Sequence, residues 1–285
     1  MNIKFKTATD FRKSLEARLK SLALETGVDL QRLRRKVAFD RLLARIFSQE
    51  DTPFFLKGGY AMELRLSNAR ATKDIDLTYL ERLKAEESSV SDLILENLRI
   101  IARKDLNDFF TYQVGAALAN LDNAPYGGAR YSVSSFIDSR LFVRFQMDVG
   151  GDAIVTRIET IQGADWLGYC GIAAPTIVMI SIEQQFAEKL HAYTLPRLQG
   201  TNTRVKDLID MVLLMKMRTV DINVLREALQ RVFKIRGTHL LPKHLEEPPP
   251  QWRVPYTALA HECELKHSLS EAFVVVADVY KQVVV

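Results

Sequence analysis

Residues 53–80 read PFFLKGGYAMELRLSNARATKDIDLTYL. The run Phe54-Phe55-Leu56 is short and apolar and reads as a buried strand. Lys57-Gly58-Gly59 makes a turn, and the residues from Tyr60 to Leu66 favour a short helix. A second strand, Ile75 to Leu80, carries Asp74 and Asp76 at its mouth. Side chains alternate along a strand, so residues two apart point the same way. Two carboxylates held that close repel each other, and a divalent cation answers the repulsion.

Outside this stretch, composition sets the bounds. A chain of 285 residues with 47% apolar and 26% charged residues is ordinary for a soluble globular protein with ample core. No apolar run is long enough to span a membrane, and the opening MNIKFKTATDF lacks the apolar centre of a signal peptide. Cys170 and Cys263 stand apart and have no metal-type spacing, which fits two thiols in a reducing cytoplasm. The net charge of +4 permits contact with nucleic acid without requiring it. Histidines 191, 239, 244, 261 and 267 read as surface or packing residues, and no Walker A, GxGxxG, GxSxG or internal repeat is present.

Upstream, residues 8 to 48 predict two helices. Phe11, Leu15, Leu19, Leu22 and Leu24 form the apolar pattern of the first, Gly27 ends it, and Asp29 caps the second from about Leu30 to Phe47. The second helix has Leu33, Val37, Leu42 and Ile46 as its inner stripe. It also carries Arg32, Arg34, Arg35, Lys36, Arg41 and Arg45, either a solvated face or a surface turned to RNA.

Downstream, residues 81 to 110 read as helical, and strands follow at Tyr112–Leu118 and Arg130–Phe136 across a Pro125-Tyr126-Gly127-Gly128 turn. The clearest strand is Leu141 to Val149. Leu141, Val143, Phe145, Met147 and Val149 lie on one side; Arg144, Gln146 and Asp148 lie on the other. Asp148 is either a third carboxylate for the Asp74 and Asp76 pair or part of a solvated sheet face.

From Pro175 the pattern turns helical. Ile182, Phe186 and Leu190 form a core stripe, with Gln185 and Lys189 four apart on another face. After a loop at Leu195–Asn202, Arg204, Asp207 and Asp210 fall three apart on one side of a helix. These charges pair with Lys189 in a structural network or reach a nucleotide; the residues alone allow both. A helix over 219–233 and a Pro-rich, basic loop from Gly237 to Pro255 come next. In that loop Trp252 and Tyr256 beside Arg253 either stack on RNA or pack the loop down. Ser268-x-x-Glu271 is a capping box that opens a final helix.

A carboxylate pair, a glycine turn and a third acid together meet the needs of metal-dependent phosphoryl transfer. At this level the chain resembles the AbiEii/AbiGii nucleotidyltransferase toxins of the polymerase-β-like superfamily, and is most similar to the mycobacterial MenT group. The residues that carry the resemblance are Lys57-Gly58-Gly59 with Glu63-Leu64-Arg65, and Arg70-x-Thr72-Lys73-Asp74-x-Asp76. To these it adds Gln185-x-x-x-Lys189-Leu190-His191-Ala192 and Lys206-Asp207-Leu208-Ile209-Asp210.

The resemblance implies an α+β fold: a polymerase-β-like core, with a mixed sheet flanked by helices (residues 1–165), followed by a mainly helical C-terminal lobe (residues 166–285). It implies transfer of a nucleoside monophosphate from an NTP, with Mg²⁺, to the 3′ acceptor end of tRNA, with CTP or UTP as the expected donor. Asp74, Asp76, Lys189 and Asp210 would be catalytic, with metal on Asp74 and Asp76; the strand pattern, more than the resemblance, adds Asp148 as a further metal ligand. Lys57, Gly58, Gly59, Arg65, Arg204 and Asp207 would serve the nucleotide. Thr72 is either a strand-entry residue or a site where a kinase-like antitoxin places a phosphate. A cytoplasmic monomer without a membrane partner is expected. Transfer to a protein hydroxyl, or a catalytically inactive binding protein, are the competing readings.

Overall fold

The computed structural model describes residues 4–49, 51–80, 90–121, 124–151, 157–196, 204–217 and 220–284. The first helix, α1 (Ala8–Thr26), starts under a Thr7 cap and ends at Gly27, whose φ of 70° suits the left-handed stop. Asp29 accepts from the Arg32 amide and opens α2 (Leu30–Ile46). Phe11, Leu15 and Leu19 are buried as the pattern requires, whereas Leu24 is 87% exposed on the last turn of α1.

The opening stretch folds as β1 (Phe54–Lys57), α3 (Gly58–Arg65) and β2 (Asp74–Tyr79). Of the helix expected over 81–110, residues 81–89 lie outside the described residues and α4 (Val90–Ala102) is formed. Residues 103–109 are not helical, because Asp105 and Asp108 accept backbone N–H groups two residues ahead, from Asn107 and Phe110. The chain continues through β3 (Phe110–Asn120), β4 (Gly128–Ile137), β5 (Arg140–Gly151), β6 (Ile158–Gln162) and β7 (Thr176–Ile180). The last two strands are additions to the sequence reading. The further helices among the described residues are α5 (Ile182–Thr194), α6 (Val205–Met217), α7 (Ile222–Arg236), α8 (Arg253–Glu262) and α9 (Leu269–Val284). Of the loop expected at Leu195–Asn202, residues 197–202 lie outside the described residues.

The strands form a seven-stranded mixed sheet in the order β3-β4-β5-β2-β1-β7-β6. β3, β4 and β5 are antiparallel neighbours, while β2 runs parallel to β5 and β1 parallel to β7. By internal contact the chain forms two compact units. The first comprises Met1–Leu56, Ala71–Ala153 and Thr160–Met179; the second comprises Lys57–Arg70, Ile154–Glu159 and Ile180–Val285.

In the first unit one sheet face is apolar. Ile75, Leu77, Tyr131, Val133 and Met147 are fully buried there. Phe145 meets Phe39 of α2 with ring centroids 4.7 Å apart, and the Tyr79 hydroxyl accepts from Asn97 of α4. Leu141, at the start of β5, is 48% exposed and does not join this face. α2 differs from the sequence reading at two cations: Arg41 and Arg45 are buried rather than turned outward. Asp108, itself fully buried, accepts from Arg41 Nε at 2.7 Å and from Arg45 Nη2 at 2.7 Å. Arg45 also donates to the carbonyls of Arg41 and Phe110. A helix buried on almost all sides in its second half leaves its arginines no solvent to face, so a local acid and backbone oxygens take that place.

The second unit is a helical bundle whose core includes Phe186, Leu190, Leu208, Val212, Leu229 and Val276, with Met62 of α3 packed into it. Trp252 and Tyr256 are buried there at 3% and 2% exposure, which rules out RNA stacking on these rings. The Tyr256 hydroxyl donates to the carbonyl of His267. Both cysteines are free and buried; burial raises the Cys263 thiol to a pKa of about 11. The capping box is formed, with Glu271 Oε2 accepting from the Ser268 amide at 2.7 Å and Ser268 Oγ from the Glu271 amide at 3.3 Å. Ser268→Ala is expected to lower stability by about 1 kcal/mol, read as a shift of the denaturant midpoint without change of slope. Among the described residues no helix is long and apolar enough to cross a membrane.

Candidate active site

Within the first unit, the sheet face opposite the apolar one carries the acids. Asp74 and Asp76 alternate with the buried Ile75 and Leu77 on β2. In the parallel ladder Asp76 lies beside Asp148 of β5, and Asp74 beside Gln146. Asp148 in turn lies beside Arg130 of β4. Asp76, Asp148 and Arg130 therefore form one row across three neighbouring strands.

Hydrogen bonds hold Asp74 and Asp148 on this face. Thr72 Oγ1 donates to Asp74 Oδ1 at 2.7 Å, and Thr72 is 6% exposed. Arg130 grips Asp148 with both arms of its fork, Nε to Oδ1 and Nη2 to Oδ2, each at 2.7 Å. These bonds and the charge of Asp148, then the charges of Asp74 and Asp76, raise the Arg130 pKa above its already high ordinary value. Sequence reasoning had no role for Arg130; strand alternation places it outward, but its partner depends on the strand order.

Mg²⁺ is ordinarily held by one or two carboxylates, with substrate phosphates completing its shell. Asp74 and Asp76 supply that donor set: hard oxygens, two residues apart, facing one way. Among the described residues no group of three or more His, Cys, Asp or Glu side chains is gathered as around an ion. Asp148 is near in register, with both oxygens bonded to Arg130.

The second unit holds the remaining site candidates in two clusters. In the first, Lys189 Nζ donates to Asp210 Oδ2 at 2.6 Å and lies 3.5 Å from Asp207 Oδ1. Arg70 reaches the same Asp210 with Nε at 3.3 Å and Nη2 at 3.1 Å, and Arg204 lies 3.5 Å from Asp207. Asp210 is fully buried. Burial alone would raise its pKa, but Lys189 and Arg70 outweigh burial and hold it below the usual carboxylate range. Burial alone would lower Lys189; Asp210 and Asp207 outweigh it, so the amine stays charged. The ion-pair network read from residue spacing is thus formed, with Arg70 as an added member.

The second cluster centres on the glycine turn. Gly58 opens α3 with φ of 67°, a left-handed conformation that glycine adopts without strain. Its carbonyl accepts from Gln185 Nε2 at 2.8 Å, and Gln185 Oε1 accepts from Arg65 Nη1. Arg65, 3% exposed at its side chain, also donates to Glu159 and to the carbonyl of Ile180. Lys57 lies 3.7 Å from Glu188, which Arg236 approaches equally closely. Gly59 follows Gly58 in the first turn of α3 and is buried.

The fold is of the α+β class, a mixed sheet with helices. It superposes on MenT4, a nucleotidyltransferase toxin from Mycobacterium tuberculosis H37Rv, with a TM-score of 0.56 and 16% identity, covering 94% of this chain and 97% of that one. JHP933 from Helicobacter pylori matches at TM-score 0.46 and 15% identity, over 87% of this chain and 94% of that one. A putative nucleotidyltransferase from H. pylori matches at 0.46 and 11%, over 90% and 96%. Residues 41–278 match the family described as nucleotidyl transferase AbiEii toxin, type IV toxin–antitoxin system, and the chain belongs to that family. Membership makes it a nucleotidyltransferase toxin and implies a cognate antitoxin. No curated protein matches the sequence.

Proposed function

We propose that the protein transfers a nucleoside monophosphate from an NTP, with CTP or UTP preferred, to the 3′ hydroxyl at the acceptor end of tRNA. A blocked or extended end stops aminoacylation and hence translation. The reading rests on one observation: Asp74 and Asp76 share a face of β2, and the ladder sets Asp148 beside Asp76. Asp74 and Asp76 would hold Mg²⁺, with Asp148 as the adjacent third acid. When bound, the ion neutralises charge on the triphosphate and on the attacking oxygen. In the reaction the 3′ hydroxyl loses its proton to solvent, its oxygen bonds to the α-phosphorus, the bond to the β-phosphate bridge breaks, and pyrophosphate leaves.

The other residues bind and orient. Lys189 carries a positive charge that burial has not removed, and we assign it to the triphosphate. Asp210 and Asp207 fix its position, with Arg70 and Arg204 as their further counter-charges. Gly58 and Gly59 bring backbone N–H groups to phosphate, with Lys57 beside them. Arg65 serves the nucleotide through Gln185, which holds the Gly58 carbonyl. The protein acts in the cytoplasm as a monomer.

Thr72 is the proposed off switch, modified by a kinase-like antitoxin. Its hydroxyl already lies against Asp74, so a phosphate there sets about two negative charges against the metal pair. Intact-mass measurement after coexpression with the antitoxin is expected to show an added phosphate that is lost in Thr72→Ala. An unmodified chain, or a phosphate retained in Thr72→Ala, contradicts the switch.

The activity itself is tested by incubating the protein with each α-labelled NTP, Mg²⁺, total RNA and cell protein. Label in the tRNA fraction is the predicted result. Label in protein points to a hydroxyl acceptor there, and no label in either points to a binding protein.

A further inference from the structure

Asp74, Asp76 and Asp148 stand within one sheet face, and three acids so placed repel unless a cation lies among them. The chain supplies one from β4. Arg130 uses Nε and Nη2 on the two oxygens of Asp148 at 2.7 Å each, and among the described residues its side chain has no other hydrogen bond. The buried arginine in the same unit is different in kind. Arg45 and Asp108 are both 0% exposed at their side chains, and backbone carbonyls accept from Arg45 as well. That pair cannot separate without leaving charge in the core. The Arg130 side chain is 39% exposed and that of Asp148 15%, so their separation returns a guanidinium to water.

We propose that Arg130 is an exchangeable counter-cation: it holds Asp148 while the acids carry no metal, and releases it when a divalent ion binds. This rests on the reading of Asp74 and Asp76 as the metal pair. The exchange is cation for cation on one carboxylate, and needs only rotation of an exposed side chain about its own bonds. Asp148 then offers both oxygens in register beside Asp76 and could join Asp74 and Asp76 in holding the ion. Arg130 is accordingly a positioning residue for the reaction. It sets an internal cation in competition with a divalent ion for Asp148.

The test is Mn²⁺ affinity of the full chain, followed by the loss of the free-ion electron paramagnetic resonance signal. Arg130→Gln is expected to bind Mn²⁺ about five-fold more tightly, the size set by breaking a partly exposed ion pair. Arg130→Lys, which keeps the charge but not the fork, is expected to tighten binding about two-fold. In Asp148→Asn, adding Arg130→Gln is expected to change affinity little, because the carboxylate competed for is gone. Unchanged or weaker binding in both Arg130 variants overturns the proposal, as does equal tightening with and without Asp148. Asp74→Asn separates the two readings. If it binds Mn²⁺ as the unaltered chain does, the metal assignment fails first; if it loses binding, the Arg130 result stands on its own.

Discussion

Asp74→Asn is expected to lower nucleotide transfer about a thousandfold or more while leaving the melting temperature within a degree or two. The substitution keeps shape and an oxygen that can accept from Thr72, whose hydroxyl lies 2.7 Å from Asp74 Oδ1. It removes the negative charge alone. Asp74 is half-buried at the mouth of β2, beside strand residues packed on the opposite face, so the fold does not depend on that charge. A carboxylate that would hold a divalent ion for phosphoryl transfer acts where charge develops in the transition state, and its loss falls on kcat. Asp76→Asn should behave in the same way, and the double variant should be little worse than either, because the two act as a unit. Retention of a tenth or more of the activity in both single variants would remove the acid pair from the mechanism.

The second large effect is on stability, at the Arg41–Asp108–Arg45 cluster of the first unit. Asp108→Ala leaves two buried guanidinium groups without their carboxylate and is expected to cost roughly 3–5 kcal/mol. For a chain of this size that lowers the melting temperature by about ten degrees. The pH dependence follows from the direction of the shift. Burial alone would raise Asp108, but the bonds and charge of Arg45, then Arg41, outweigh it and hold the carboxyl below its ordinary 3.8. A depressed carboxyl contributes stability that is present above its unfolded pKa and is lost as pH falls through the folded one. Between neutral pH and pH 4 the unaltered chain should therefore keep its advantage over Asp108→Ala. Below about pH 4 the two melting curves should converge. A small difference at pH 7 would mean that water or another acid reaches the arginines.

How far these features could be read in the residues follows the distance over which each is determined. The faces of β2 and β5 are local alternations, so the outward set of Asp74, Asp76 and Asp148 was visible, as were the Gly27 stop, the Asp29 cap and the Ser268–Glu271 box. Lys189, Asp207 and Asp210 share helical faces by spacing, and their network was foreseeable; Arg70, 140 positions from Asp210, was not. Arg130 and Asp148 meet only because β4 and β5 pair in a particular register. Arg41 and Arg45 look like surface charges in α2, since their partner lies more than sixty positions away. Thr176–Ile180 was hidden for another reason. Its apolar TIVMI runs straight into the core stripe of α5, and a short buried strand and a buried helical segment have the same hydrophobic signal.

The proposed activity is tested most directly at the acceptor end itself. Purified tRNA, with its 3′ terminus intact or oxidised by periodate, is incubated with the protein, Mg²⁺ and each NTP, and the RNA is weighed by mass spectrometry. The account predicts a gain of one or more nucleoside monophosphates, from CTP or UTP before the purines, on intact tRNA only. Equal gain on the oxidised RNA, or none on either while protein acquires the nucleotide, would contradict it.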